Sequence, residues 1–196
     1  LIAAPPSDLP VHEVLARHCC PHDPVFVDLV RAALVLCPDP EPNVSPFAAR
    51  VGASTRAHLH ATVCTGLAAL SGPRHGGATA RAYALIEDAR EAPDIHVFIT
   101  TRWQRGDELP GFGHALYPDG DPRGAELLAM LRRTRADAET MRLLEAIIGT
   151  MEEVSGQRPN IDFMLAAMCH VHALPASSAL VLFAAGRLAG WLAHAL

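Results

Sequence analysis

In residues 47–70, apolar side chains at Phe47, Val51, Leu59, Val63, Leu67 and Leu70 recur at spacings of three, four and eight, which commits the stretch to a helix with one inward face. Its length places that helix at the centre of a helical protein. The same period runs through residues 10–18, 23–37, 79–91, 94–104, 121–135, 136–154, 160–172 and 177–195. Asp23, Ser45 and Asp121 each precede a proline at the first position of a helical run, and Ser177 follows Pro175, so these residues read as helix starts. Sustained period-two alternation is missing; residues 95–101 come nearest to it and suit a short helix as well. The expected class is all-α and multi-helical.

Half of the 196 residues are hydrophobic, enough to bury a core in one or two domains. The net charge of -5, with the charges interspersed, offers no basic stripe for nucleic acid and no polybasic segment for a membrane. All 16 basic residues are arginine, which excludes lysine Schiff-base chemistry within this chain. No apolar run reaches the roughly 18 residues of a membrane-spanning helix, and residues 1–10 lack a basic segment ahead of their apolar ones. Five cysteines, an odd number at no disulfide-framework spacing, fit a reducing compartment, and a cytoplasmic location is the expectation. The leucine at position 1 suggests that a longer polypeptide precedes it. Residues 1–23, rich in Pro, His and Asp, read as a linker. His12, His18, Cys19, Cys20 and His22 lie there, but adjacent cysteines suit one tetrahedral metal site poorly and no second ligand pair is near, so no metal is expected.

The helical pattern breaks at Gly72-Pro73-Arg74-His75-Gly76-Gly77, where a histidine stands between helix breakers, and again near Leu174-Pro175. Residues 105–120 form the one long stretch without a helical pattern, and loops of that length in compact domains are usually functional. Within and after it lie Pro110-Gly111-Phe112-Gly113-His114, then Asp121-Pro122-Arg123 with its arginine nine positions beyond the histidine, then Pro159-Asn160-Ile161-Asp162. A carboxylate, two imidazoles and two arginines suit proton abstraction beside a carbonyl followed by attack of the carbanion on a second carbonyl. Arginine forks suit the carboxylates of a dianionic partner.

These motifs, in this order, resemble those of the citrate synthase family: G-P-x-H-G-G, then G-[FY]-G-H with D-P-R nine residues on, then P-N-[VI]-D. The stretch from Phe183 to His194, with Arg187, is similar to the family's last conserved helix. The resemblance runs from about Pro24 to Leu196. It implies that residues 24–74 and 175–196 belong to a large helical domain and residues 75–174 to a small domain that closes over substrate. Asp162 would then take the methyl proton of an acyl-CoA, His75 would donate to its carbonyl oxygen, and His114 would polarise the keto group of an oxaloacetate-like acceptor. Arg123 and Arg187 would bind the acceptor's carboxylates, and Leu109, Pro110, Gly111, Phe112 and Gly113 would pass close to coenzyme A. The acyl-CoA is a substrate, no separate cofactor is implied, and a homodimer is expected.

Several positions depart from the family pattern. Asp39-Pro40-Glu41-Pro42-Asn43 replaces D-H-E-x-N, and Pro40 cannot supply the hydrogen bond of the usual histidine. Arg74 precedes the first histidine where an apolar residue is usual, Thr79 stands for asparagine, Pro118 stands where some relatives carry a base for coenzyme A phosphates, and Met164-Leu165 replaces a Ser-Gly step. About half of a family large domain is expected before Leu1, and a C-terminal tail after Leu196. Three readings stay open: a citrate or 2-methylcitrate synthase, a related carbon-carbon bond former or lyase on another acyl-CoA or 2-oxo acid, and a non-catalytic module that binds an acyl-CoA or a carboxylate.

Overall fold

The computed structural model describes residues 8–38, 43–134 and 137–196. Position 40, the proline in place of the family histidine, lies outside them. Ten helices follow one another among the described residues: α1 (Val11–Cys19), α2 (Pro24–Leu36), α3 (Val44–Ser54), α4 (Leu59–Leu70), α5 (Gly77–Glu91), α6 (Ile95–Gln104), α7 (Pro122–Leu131), α8 (Ala138–Ser155), α9 (Ile161–Val171) and α10 (Ser177–Ala195). The chain is all-α. One isolated antiparallel bridge, between Phe112 and Pro159, is the sole β pairing among the described residues. The described residues up to 77, with 180–196, form one compact unit, and the described residues from 78 to 179 form a second.

In the first unit, Asp23 accepts hydrogen bonds from the Val25 and Phe26 amides and starts α2 beside Pro24. The opening stretch read as a linker carries α1, which packs on α2 and buries Ala16. The helix expected over residues 47–70 is broken. The hydroxyls of Ser54 and Thr55 donate back to the Val51 and Gly52 carbonyls, and Arg56 turns left-handed at φ 60°, so residues 55–58 separate α3 from α4, which packs against it. Of the face expected to look inward, Leu70 is buried and Val63 half-buried, but Phe47, Val51, Leu59 and Leu67 are exposed, 65% in the case of Phe47; Thr62 and Gly66 complete the buried stripe of α4 with Leu70. Small residues explain this, because they allow the backbones to approach closely. A Cβ at Gly66 would lie 2.8 Å from the Trp191 ring, and one at Gly186 would lie 2.5 Å from Cys37 Cβ, so α10 packs tightly on both α4 and α2.

In the second unit the central helix is α9, where every side chain from Phe163 to Cys169 is buried, as expected of a helix that is apolar all round. Met164 and Leu165, the departures from a Ser-Gly step, are fully buried core residues of this helix. Helices α7 and α8 pack on α9, and α6 packs on α8. Two polar ties hold the end of α9 to α5: His170 Nε2 lies 2.7 Å from Glu87, and the Tyr83 hydroxyl donates to the Leu174 carbonyl.

Candidate active site

The expected site residues fall into two groups, one in each unit. In the first unit, the turn after α4 is closed by backbone hydrogen bonds from His75 N and Gly77 N to the Gly72 carbonyl and from Gly76 N to the Leu70 carbonyl. That turn sets His75 Nε2 2.8 Å from the Ser45 hydroxyl. Its ring meets the edge of Phe183 with centroids 6.1 Å apart, and the Arg187 guanidinium lies 5.0 Å from the centre of the same Phe183 ring. Arg187 is 1% exposed. A cation that deeply buried is costly unless it meets an anion or aromatic faces, and it suits a carboxylate ligand. Arg74, beside His75, is exposed, so a charge at this position costs little.

Ser45 and Phe183 were not anticipated as site residues. Ser45 was read as a helix cap, but α3 already begins at Val44, the cap position is Asn43, and Ser45 is fully buried inside the first turn. The signal available was its place two residues after Asn43. Phe183 sits one helical turn before Arg187, the spacing that lets an aromatic ring and a guanidinium meet on α10.

In the second unit Asp121 organises the group. Its side chain is fully buried, caps α7 by accepting from the Arg123 amide, and grips the Arg123 guanidinium at Nε (2.9 Å) and Nη2 (3.0 Å). The same carboxylate accepts from the Ile161 amide at 3.0 Å, which ties the start of α7 to the start of α9. Burial alone would raise the Asp121 carboxyl, but the hydrogen bond and charge of Arg123, with the two backbone amides, outweigh it and hold the group below its ordinary value. Arg123 Nη2 in turn lies 3.2 Å from His114 Nε2, and His114 Nδ1 accepts from the Leu116 amide. Tyr117 lies against both, 4.9 Å from the His114 ring and 5.3 Å from the Arg123 guanidinium carbon.

Asn160 places Asp162. Its side-chain oxygen caps α9 through the Asp162 and Phe163 amides, its amide nitrogen donates to the Gly113 carbonyl at 2.9 Å, and its backbone N–H donates to the Gly111 carbonyl. The cap is therefore Asn160, and Asp162 sits in the first turn, where the helix dipole favours a carboxylate. Gly111, at φ 95°, lets the loop press on α9: a Cβ there would lie 2.7 Å from Phe163 Cβ. Phe112 stacks 4.7 Å from Phe163, and Leu109 and Phe112 are buried, so Leu109 to Gly113 form a strap packed on the helix that carries Asp162.

The sequence profile of the citrate synthase C-terminal domain matches residues 1–196. The chain belongs to the citrate synthase family. It is 31% identical over 176 residues to citrate synthase 2 of Bacillus subtilis, covering 88% of this chain and 47% of that one. It is 33% identical over 165 residues to 2-methylcitrate synthase of Shewanella oneidensis, covering 83% and 44%. It thus spans less than half the length of either relative. Among solved structures, the ternary complex of Thermoplasma acidophilum citrate synthase with carboxymethyl coenzyme A and oxaloacetate matches with a TM-score of 0.80 and 26% identity, over 97% of this chain and 53% of that one.

Proposed function

We propose that the full-length protein condenses an acyl-CoA, acetyl-CoA or propionyl-CoA, with oxaloacetate or a related 2-oxo acid. The observation that carries this reading is the second unit's assembly, in which one buried carboxylate, Asp121, fixes Arg123 beside His114 and joins them to the helix start bearing Asp162. Asp162 removes a proton from the carbon next to the thioester while His75, held by Ser45, donates to the thioester oxygen as the enol forms. The enol carbon then attacks the keto carbon of the acceptor, whose oxygen His114 polarises and protonates. Arg123 and Arg187 bind the acceptor's carboxylates. Hydrolysis of the resulting thioester releases free coenzyme A and the hydroxy acid. The relatives whose names include citrate and 2-methylcitrate synthase support acetyl and propionyl donors, and the neighbour solved with a coenzyme A analogue and oxaloacetate supports the pairing of substrates.

Incubating the full-length protein with either acyl-CoA and a panel of 2-oxo acids is expected to release free thiol. His75→Ala should abolish the release. If no pair exceeds that control, the protein is a module that binds an acyl-CoA or a carboxylate without turnover, the reading that Pro40 favours.

A homodimer is part of the same proposal. Phe47, Val51, Leu59 and Leu67 leave apolar side chains exposed along α3 and α4, a pattern expected of a surface that another chain covers. Sedimentation of the full-length protein at micromolar concentration should show a dimer, with Phe47→Asp shifting it to monomer. A wild-type monomer would remove the dimer from the proposal.

A further inference from the structure

The Tyr117 ring touches both members of the pair that the condensation turns on its acceptor, His114 and Arg123. We propose that Tyr117 is a positioning residue, whose ring holds the His114 imidazole and the Arg123 guanidinium in register so that they meet the keto oxygen and a carboxylate of one 2-oxo acid together. This rests on the reading that His114 and Arg123 bind the acceptor.

The first support is that the 3.2 Å contact between the two does not hold them together. The Leu116 amide can only donate, so His114 Nδ1 accepts from it, and in the neutral ring the proton then sits on Nε2. Arg123 Nη2, 3.2 Å from that Nε2, also carries only N–H groups. Two donors therefore face each other, and the contact does not attract. Asp121 fixes the guanidinium through Nε and Nη2, but a fixed guanidinium does not draw in a ring whose facing nitrogen is also a donor.

The second support is the attraction that the Tyr117 ring offers to each. Its centre lies 4.9 Å from that of the His114 ring, with the planes tilted by 34°, an arrangement nearer to an offset stack than to an edge contact. The Arg123 guanidinium carbon lies 5.3 Å from the centre of the same Tyr117 ring, close enough for a cation to be drawn to an aromatic face. One ring thus supplies what the two neighbours lack for each other. The Arg123 side chain is only 11% exposed, and a cation–aromatic contact strengthens where water is kept out.

The third support is that the loop places the ring by local means. The Tyr117 amide donates to the His114 carbonyl at 3.1 Å, and the Tyr117 carbonyl accepts from the Gly120 amide at 3.0 Å, so two successive turns carry the chain from His114 to the start of α7. Pro118 disfavours helical torsions at Tyr117, and Gly120 takes φ 119°, which suits glycine. The half-buried Tyr117 is therefore fixed three residues after His114 and six before Arg123, in a backbone that needs no distant contact to form.

Steady-state kinetics on the full-length protein, with the 2-oxo acid and the acyl-CoA varied in turn, separate positioning from packing. Tyr117→Leu keeps an apolar side chain and removes the ring. It is expected to raise the KM for the 2-oxo acid about tenfold and to lower turnover by a similar factor, with the KM for the acyl-CoA unmoved. Tyr117→Phe keeps the ring and should stay within about twofold of wild type on each parameter. A merely structural role would instead lower the urea midpoint and the active fraction, leaving both KM values alone. Nitrogen NMR of histidine-labelled protein, with His114 assigned by its loss in His114→Gln, reads the ring without substrate. Wild type and Tyr117→Phe should show the proton resident on Nε2, and Tyr117→Leu a ring averaging between its tautomers. An acceptor KM within about twofold of wild type in Tyr117→Leu, equal rises in both KM values, or Tyr117→Phe as damaging as Tyr117→Leu would overturn the role. So would an unchanged His114 spectrum in Tyr117→Leu. A wild type that turns over no 2-oxo acid removes the condensation, and the NMR comparison then decides the placement of His114 by Tyr117 on its own.

Discussion

Replacing Asp121 by alanine is expected to cost the protein about 3–5 kcal/mol of stability, the range for removing one partner of a buried ion pair. The carboxylate is fully buried and accepts from the Arg123 guanidinium, the Arg123 amide and the Ile161 amide, while Arg123 is itself only 11% exposed. Its removal leaves a near-buried guanidinium without its counter-charge, strips the cap of α7 and cuts the tie to α9. Asp121→Asn should cost less, since one amide oxygen still accepts, but its NH₂ group then faces donors. The pH dependence follows from the sign of the shift. The folded value of Asp121 lies below its unfolded value of about 3.9, so the unfolded chain binds more protons around that pH. The stability this group contributes is therefore fully present above about pH 4 and is lost as the pH falls through its lower folded value. Urea titrations of wild type and Asp121→Asn from pH 7 to pH 3 should show the two curves converging at the acid end. A constant gap across that range, or a loss below about 1 kcal/mol at pH 7, would mean that Asp121 does not carry the Arg123 and Ile161 contacts in solution.

Only the local part of that assembly was legible: Asp121 reads as the start of α7, while its grip on the Arg123 guanidinium does not. Asp121 and Arg123 stand two residues apart, Asn160 and Asp162 likewise, and the capping geometry that Asp-Pro and Asn-x-Asp favour places each pair. What joins the pairs, the Asp121 contact to the Ile161 amide across 40 residues, leaves no mark in any spacing. The break between α3 and α4 was hidden for a related reason. Phe47, Val51, Leu59 and Leu67 keep helical spacing through residues 55–58, so periodicity alone joined two helices, and the deciding event is a single left-handed residue, Arg56, of a type that rarely takes that conformation. The choice of central helix failed because it rested on length, and the length belongs to two helices, α3 and α4. Helix α9 reads as a helix over 160–172, but its lack of a polar face from Phe163 to Cys169, the mark of a buried helix, carried no weight against length. Ser45 was missed because a serine ahead of Pro46 fits a cap so well; only the fold reveals that His75, 30 residues on, uses its hydroxyl.

Asp162→Asn in the full-length protein is expected to lower the turnover number by a hundred- to ten-thousand-fold, the range for losing a positioned general base. The substitution keeps size and shape and removes the basicity, so substrate affinities should change far less than turnover. Its effect on the fold should be small, because Asn160 rather than Asp162 caps α9, and losing one carboxylate at a helix start costs about 0.3–1 kcal/mol. Asn160→Ala provides the contrast. It removes the cap, worth about 0.5–2 kcal/mol, together with the Asn160 bond to the Gly113 carbonyl that holds the strap, so it should lower stability and raise the KM for the acyl donor. The two variants thus separate chemistry from placement. If Asp162→Asn unfolds as easily as Asn160→Ala, or retains more than about a tenth of wild-type turnover, Asp162 is not the base, and the proton must leave through another group near the strap.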